Sequence, residues 1–267
     1  MKPFILLISV MLVTGCASVR NAPGTQETDH FIVDGKLFTA VWQQHAAEYK
    51  ALCLQAFNTA TLRLDEYLQQ DTSQKPPAVI TDIDETFLDN SPYAIRQALQ
   101  GKDYEPSSWE EWVNKAEADT LAGALAFFSH AASRNVEVFY ISNRDEAGRA
   151  ATLANLRKYH FPYADDAHLL LQGATSSKEE QRQTVAEKHD VILLLGDNLG
   201  DFSALFDNKT TVQRAENVLQ HAGDFGKRFI MFPNATYGDW EGALYQYNYR
   251  LSPAQKDAVF RTAGKGY

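Results

Sequence analysis

The sequence has few cysteines, no run of basic residues and no apolar run of membrane-spanning length. Only two of its 267 residues are cysteines, too few for the disulfide framework of many small secreted domains. The formal net charge is −9, and no lysine- or arginine-rich cluster offsets it. Binding to a nucleic-acid backbone needs such clusters, so we predict no nucleic-acid partner. The apolar run at 3–13 is shorter than the roughly 20 residues that cross a bilayer.

The composition is nevertheless that of a folded protein. Hydrophobic residues make up 45% of the chain and aromatic residues 12%, which provides for a sizeable core and argues against global disorder. The length suits one large α/β domain or one domain with an insertion.

The N-terminal segment has the layout of a secretory signal. Its apolar run leads through Val-Thr-Gly into Cys16, which resembles the lipobox of bacterial lipoproteins. We therefore predict a lipoprotein signal peptide at 1–15, a lipidated cysteine with a flexible tether at 16–30, and a folded domain at 31–267. An ordinary signal peptide is the alternative.

A lipidated Cys16 has two consequences. It would attach the protein to the membrane of the bacterial cell envelope, and the alanine at position 17 favours the outer membrane. It would also leave Cys53 without a disulfide partner. Cys53 lies in a helical pattern with no histidine nearby in sequence, so we predict a buried structural thiol.

Apolar periodicity predicts helices that alternate with strands. Helices are predicted at 37–70, 91–118, 121–133, 145–159, 177–189 and 253–263, and strands at 77–84, 136–142, 168–172, 190–197 and 227–234. This alternation predicts an α/β fold, with a Rossmann-like parallel sheet covered by helices on both faces. The segment 89–120 is long for a crossover, so we predict a small helical cap inserted after the first strand. In that cap, the letters SSWEEW suggest a serine N-cap.

Polar side chains follow the predicted strands where each one ends. These residues are Asp82 and Asp84 at the end of the first strand, Ser142, Asn143 and Arg144 at or just after the end of the second, Lys178 before a helix, and Asp197 and Asp201 at or just after the end of the fourth strand. Each alone has an ordinary explanation, as a turn residue, a helix cap or a solvated lysine. Because ligands of open α/β sheets bind at the carboxyl ends of strands, their joint placement predicts a functional site.

The order Asp-x-Asp-x-Thr, Ser after a strand, Lys, then Gly-Asp-x-x-x-Asp resembles the haloacid dehalogenase (HAD) superfamily of phosphotransferases. The stretches VWQQHAAEY, DIDETFLDNSPY, SWEEWV, ISNR, LLGDNLGDF and PNATYGDWE together resemble the class C, lipoprotein-type bacterial acid phosphatases. The second aspartate of Asp-x-Asp separates the sequence from the dehalogenases, which lack it.

The resemblance implies a role for each acidic residue. Asp82 would be the nucleophile that forms an aspartyl-phosphate, and Asp84 the general acid and then the base. Asp82, the backbone carbonyl of Asp84, and Asp197 would hold Mg²⁺, a cation that prefers oxygen ligands. Asp201 would orient Lys178 or a metal-bound water.

The resemblance also implies how the substrate is held. Ser142 and Lys178 would bind the phosphoryl oxygens, helped by backbone N–H groups near Asn143. Aromatic side chains from the regions of Trp109 and Tyr237 would surround the leaving group. Trp112 is expected in the core. Two roles are possible for Arg144: a contact with the substrate or a surface salt bridge.

The function implied is a Mg²⁺-dependent acid phosphatase that hydrolyses phosphomonoesters, with nucleoside monophosphates and aryl phosphates as the expected substrates. Two alternatives remain: a phosphotransferase on the same scaffold, and a surface lipoprotein that acts as a binding or adhesion module. The expected partners are a small phosphomonoester and a membrane reached through the lipid anchor. The oligomeric state is open, with a homodimer among the options.

Overall fold

A five-stranded parallel sheet forms the centre of the computed structural model, which describes residues 31–70 and 73–267. Its strands run in the order β5-β4-β1-β6-β7, and a separate two-stranded antiparallel ribbon pairs β2 with β3. In chain order the strands are β1 Pro77–Thr81, β2 Leu88–Asp89, β3 Asp119–Thr120, β4 Glu137–Ile141, β5 Leu169–Leu170, β6 Asp190–Gly196 and β7 Phe229–Met231.

Ten α-helices surround the sheet in the described part of the chain. They are α1 Phe31–His45, α2 Ala47–Gln70, α3 Ser91–Leu99, α4 Pro106–Lys115, α5 Ala124–Ser133, α6 Arg149–Lys158, α7 Glu179–Lys188, α8 Thr211–Gln220, α9 Asp239–Leu244 and α10 Pro253–Ala263. The predicted α/β class, with a parallel sheet and a helical cap, is confirmed.

The two faces of β1 explain why this strand is central. Val79 packs into a large core cluster with α2 and α5, which contribute Phe57 and Phe128. Ile80, on the opposite face, packs into a second cluster that contains Val185 of α7. A parallel strand covered on both faces is expected to be largely apolar, as β1 is from Pro77 to Ile80.

The cap is built on the β2–β3 ribbon. Leu88 of β2 pairs with Thr120 of β3. Helices α3 and α4 lie between these two short strands in the chain. Helix α1 lies beside α3, where Gln43 and Gln44 donate hydrogen bonds to Asp89 and Ser91. The N-terminal helix therefore forms part of the wall above the sheet.

Three local predictions were wrong. The helix predicted at 37–70 begins earlier, at Phe31, and is interrupted at Ala46. The helix predicted at 91–118 is two helices, because Pro106 starts a new one and holds the preceding residue in extended backbone. The N-cap of α4 is consequently Glu105 rather than a serine.

Cys53 is buried in the core as a free thiol, as predicted. No helix in the described ranges combines the length and apolarity needed to cross a bilayer. The signal peptide, Cys16 and the tether lie outside the described residues, so lipidation stays a prediction.

Candidate active site

A cavity of about 360 Å³ opens at the carboxyl ends of the strands. Its walls come from the segments that follow β1, β4, β6 and β7, together with α1, α3 and α4. The predicted site residues that line it are Asp82, Asp84, Trp109, Asn143, Lys178, Asp197, Asp201 and Tyr237. The residues that the strand-end rule grouped together therefore do line one cavity.

The turn after β1 brings the side chains of Asp82 and Thr86 together. Asp82 continues the sheet ladder, since its N–H donates to the carbonyl of Leu195 at 2.9 Å. The backbone then turns through Glu85, which adopts a left-handed conformation with φ 57°. This turn places the hydroxyl of Thr86 3.1 Å from Oδ2 of Asp82 and 3.3 Å from Oδ1 of Asp197.

Three aspartates lie together at the floor of the cavity. Carboxylate oxygens of Asp82, Asp197 and Asp201 lie within 4.8 Å of one another, and all three residues are buried. Burial raises the pKa of Asp82 to about 6, against the opposing effect of Lys178, and it raises the pKa of Asp197 as well. Crowded, buried carboxylate oxygens are the donor set of a hard divalent cation, so these residues fit one.

Lys178 supplies positive charge to this cluster. It stands at the N-terminal end of α7, and its Nζ contacts Oδ1 of Asp82 and lies 2.6 Å from Oδ1 of Asp201. The other oxygen of Asp201 accepts the backbone N–H of Asn198 at 2.9 Å. Asp201 thus links Lys178 to the loop after β6, in agreement with the orienting role that the resemblance implies.

Asp84 is held by the segment after β4. The guanidinium of Arg144 forms an ion pair with it, and Nδ2 of Asn90 donates a further hydrogen bond at 2.8 Å. Of the two alternatives for Arg144, the structure shows a salt bridge, although a buried one. Ser142 is also buried, and its Oγ accepts the N–H of Arg144 at 3.2 Å, whereas Asn143 is exposed at the cavity.

The aromatic residues make contacts that the sequence did not reveal. The ring of Trp109 packs edge-on against Tyr93 and lies 5.9 Å from the guanidinium carbon of Arg144. The hydroxyl of Tyr237 donates to the carboxylate of Glu85. Trp112 packs against the core, as expected, and its Nε1 donates to Asn90 at 2.7 Å.

Two residues at the site, Asn90 and Asn234, were not predicted from the sequence, and Glu85 and Thr86 were placed after the first strand without a role of their own. Glu85, Thr86 and Asn90 lie within the stretch DIDETFLDN. Asn234 follows β7 and donates to Oδ2 of Asp197 at 2.7 Å. The strand-end rule would have found Asn234 had it been applied to the last strand as well.

Comparisons with known proteins agree with this geometry. The class C acid phosphatase from Bacillus anthracis is 42% identical, with a TM-score of 0.85 over 88% of this chain and 99% of that one. A second structure of that enzyme, with tungstate bound, matches with the same identity and TM-score.

Two plant proteins match a shorter segment. A stem 31 kDa glycoprotein from Glycine max is 28% identical over 125 residues, which is 45% of this chain and 49% of its own length. Acid phosphatase 1 from Solanum lycopersicum is 29% identical over 117 residues, which is 41% of this chain and 45% of its own length. The matched segment therefore spans about half the length of these relatives.

The family model described as "HAD superfamily, subfamily IIIB (Acid phosphatase)" matches residues 5–240, most of the chain. The resemblance noted in the sequence motifs is therefore confirmed, and the chain belongs to this acid phosphatase subfamily of the HAD superfamily.

Proposed function

We propose that the protein is a Mg²⁺-dependent acid phosphatase that hydrolyses phosphomonoesters through an aspartyl-phosphate on Asp82. The observation that carries this proposal is the contact of Lys178 with both Asp82 and Asp201, beside Asp197, at the floor of a cavity. Such a site combines a carboxylate nucleophile with positive charge for the phosphoryl oxygens, the two needs of phosphoryl transfer.

In the first step, an oxygen of Asp82 attacks phosphorus while the ester P–O bond breaks. The leaving oxygen takes a proton from Asp84, and the product alcohol departs. Lys178 compensates negative charge on the phosphoryl oxygens, and the exposed backbone segment at Asn143 lines the same space.

In the second step, a water molecule loses a proton to Asp84 and attacks the phosphorus of the aspartyl-phosphate. The bond between phosphorus and Asp82 breaks, which releases inorganic phosphate and restores the carboxylate. Asp84 is again protonated and ready for the next ester. Arg144 and Asn90 hold its carboxyl group in position through this cycle.

Asp82, Asp197 and the backbone carbonyl of Asp84 would hold the metal. When bound, Mg²⁺ would supply positive charge that lets an anionic phosphate approach these carboxylates. The Bacillus anthracis relative binds tungstate, a tetrahedral oxyanion like phosphate, which supports an oxyanion ligand for this chain as well.

The leaving-group side of the cavity carries Trp109 and Tyr237, which favours nucleoside monophosphates and aryl phosphates. Lipidation at Cys16 would place the enzyme on the cell envelope, at the outer membrane. Transfer of the phosphoryl group to an acceptor alcohol in place of water is the alternative outcome at the same site.

The test is release of inorganic phosphate from p-nitrophenyl phosphate and a nucleoside monophosphate, with and without a chelator. We expect activity that the chelator abolishes and Mg²⁺ restores, and that Asp82→Asn abolishes in every condition. Asp166→Asn is the matched control, because Asp166 has a side chain 78% exposed. Full activity after chelation would refute the metal assignment, and an active Asp82→Asn variant would refute the covalent route.

Two further measurements decide the finer points. Addition of an acceptor alcohol separates hydrolysis from phosphoryl transfer, because transfer yields a new ester in place of phosphate. Metabolic labelling with palmitate in a bacterial host tests the anchor: we expect label on the wild type and none on Cys16→Ser. Label on both would exclude Cys16 as the acceptor.

A further inference from the structure

We propose that Arg182 is a positioning residue for this reaction, because it fixes the loop that carries Asp197 and Asp201 relative to Lys178. The inference rests on the proposed phosphatase function for its kinetic part, while its structural part stands on the contacts alone. Arg182 is 6% exposed and belongs to α7, whose N-terminal end carries Lys178.

The guanidinium of Arg182 binds main-chain carbonyls of the loop. Its Nη1 donates to the carbonyl of Gly200 at 2.7 Å and to that of Asp201 at 2.9 Å. Its Nη2 donates to Oε2 of Glu179 at 2.6 Å, and the same oxygen accepts the N–H of Ala204 at 3.3 Å. Helix α7 is therefore attached to the loop at two successive points.

Lys178 and Arg182 hold opposite parts of one residue. They are four positions apart, so they lie on the same face of α7, one turn from each other. Lys178 contacts the carboxylate of Asp201, and Arg182 contacts its main-chain carbonyl. A shift of Asp201 away from the helix would therefore break both contacts together.

The loop needs an external partner at this point. Leu199–Asp201 is a single 3₁₀ turn, too short to satisfy the carbonyls at its end with its own N–H groups. The carbonyls of Gly200 and Asp201 are the ones to which Arg182 donates. A charged donor in a buried setting makes stronger hydrogen bonds than a neutral one, which suits a clamp on an acidic loop.

Arg182 lies behind the site, and the cavity is lined by Lys178 and Asp201 in front of it. Its removal should therefore alter the chemistry and the metal more than substrate binding. Positioning contacts of this kind typically cost about 10- to 100-fold in activity or metal affinity when removed. We expect a fall of that size in kcat for Arg182→Gln, a similar rise in the Mg²⁺ concentration for half-maximal activity, and a KM close to wild type.

The experiment compares full-length Arg182→Gln and Arg182→Lys with Arg157→Gln. Arg157 is the matched control, because it is exposed and its Nε donates to a carbonyl of another loop, that of Ala164, at 2.9 Å. Arg182→Lys should recover part of the lost kcat, since an ammonium can reach one of the two carbonyls. Arg157→Gln should keep wild-type kinetics.

Hydrogen exchange of the loop amides, with Mg²⁺ titration of substrate-free protein by calorimetry, gives readouts independent of turnover. We expect faster exchange across 197–204 and weaker Mg²⁺ binding in Arg182→Gln, with exchange of β1 unchanged. Wild-type kcat and loop protection in Arg182→Gln would overturn the inference, as would equal losses in Arg182→Gln and Arg157→Gln.

Two outcomes separate this inference from the proposed function. If wild-type protein releases no phosphate, the proposed function fails, and loop exchange in Arg182→Gln still decides whether the clamp exists. If Arg182→Gln does not fold, Arg182→Lys decides. A drop in kcat with KM retained supports the inference, and wild-type kinetics overturns it.

Discussion

Arg144 and Asp84 form a bidentate ion pair at the wall of the cavity. The distances are 2.6 Å from Nη2 to Oδ1 and 3.0 Å from Nε to Oδ2, and the side chains are 2% and 13% exposed. The guanidinium also donates to Oγ1 of Thr152 at 3.0 Å, which fixes it from the far side. The proposed proton donor therefore faces the cavity from a direction set by the segment after β4.

We expect Arg144→Gln to lower the free energy of unfolding by about 3 kcal/mol, because it leaves the carboxylate of Asp84 partly buried without its cation. It should also lower kcat, since Asp84 would lose its fixed orientation. Urea-induced unfolding followed by circular dichroism measures the first effect, and steady-state kinetics the second.

The control for this variant is Arg96→Gln. Arg96 pairs with Glu111 at 3.0 Å on the surface of the cap, where both side chains are exposed. An exposed pair contributes little to stability, so Arg96→Gln should leave the urea midpoint almost unchanged. A similar loss of unfolding free energy in both variants would show that burial does not strengthen the contribution of the Arg144–Asp84 pair to stability.

Gly196 leaves space for Asp201 to approach the end of β6. A Cβ at position 196 would stand 2.4 Å from both Cβ and Oδ2 of Asp201, closer than atoms can pack. We therefore expect Gly196→Ala to displace Asp201 from Lys178 and to lower kcat by about 100-fold, the cost of a misplacement near 1 Å. Phosphate-release kinetics provides the measurement.

Gly35→Ala is the matched control, because a Cβ on Gly35 would meet no atom within 4 Å. Gly35 lies inside α1, so alanine there should keep activity and raise the free energy of unfolding by about 0.5–1 kcal/mol. Wild-type kcat in Gly196→Ala would mean that the loop after β6 adapts without consequence for catalysis.

Glu85 predicts a pH dependence of stability in metal-free protein. Burial, aided by the nearby charge of Asp84, raises the pKa of Glu85 to about 8 from an ordinary value of 4.5. The folded state therefore favours the protonated form. Its contribution to stability is fully present below about pH 4.5 and is lost as pH rises through 8.

The measurement is the urea midpoint of wild type and Glu85→Gln between pH 5 and 8 in the presence of a chelator. Glutamine mimics the protonated carboxyl group, so the variant should lose less stability than wild type as pH rises. Glu216→Gln, at an exposed position, should follow wild type. If the urea midpoints of wild type and Glu85→Gln changed in parallel with pH, Glu85 would be excluded as a source of the pH dependence of stability.

The strands and the acidic site residues could be predicted because they depend on short stretches of chain. β1 and β6 are apolar runs buried on both faces, and Asp82 and Asp197 follow directly where those runs end. In a parallel sheet, such ends meet at one edge whatever the strand order. The prediction that these residues lie close together thus needed no knowledge of the tertiary structure.

The partners of these residues could not be predicted in the same way. Arg144 and Asp84 are 60 positions apart, and Tyr237 and Glu85 are 152 apart. Which side chains meet depends on the strand order β4-β1-β6-β7 and on the left-handed turn at Glu85. Neither the strand order nor the turn leaves a periodic pattern in the sequence. An arginine or tyrosine that follows a strand could therefore pair with any of several residues.

The position of Tyr237 leads to a prediction about substrate selectivity. Tyr237 lines the cavity and is 38% exposed, while its hydroxyl donates to Glu85. The ring could stack on an aromatic leaving group, and the hydroxyl could fix the turn that carries Asp82 and Asp84. Tyr237→Ala removes both contributions, whereas Tyr237→Phe removes only the hydroxyl.

Stacking of an aromatic group is worth about 1–3 kcal/mol, and each 1.4 kcal/mol corresponds to about tenfold in rate. We therefore expect Tyr237→Ala to lower kcat/KM by roughly 10- to 100-fold for nucleoside monophosphates and aryl phosphates, and to change it little for glycerol phosphate. Tyr237→Phe should keep the wild-type ratio between the two substrate classes, even if both values fall together. Steady-state kinetics on both classes is the measurement. Equal losses on both classes in Tyr237→Ala would assign Tyr237 to shaping the turn at Glu85, and the stacking hypothesis would be wrong.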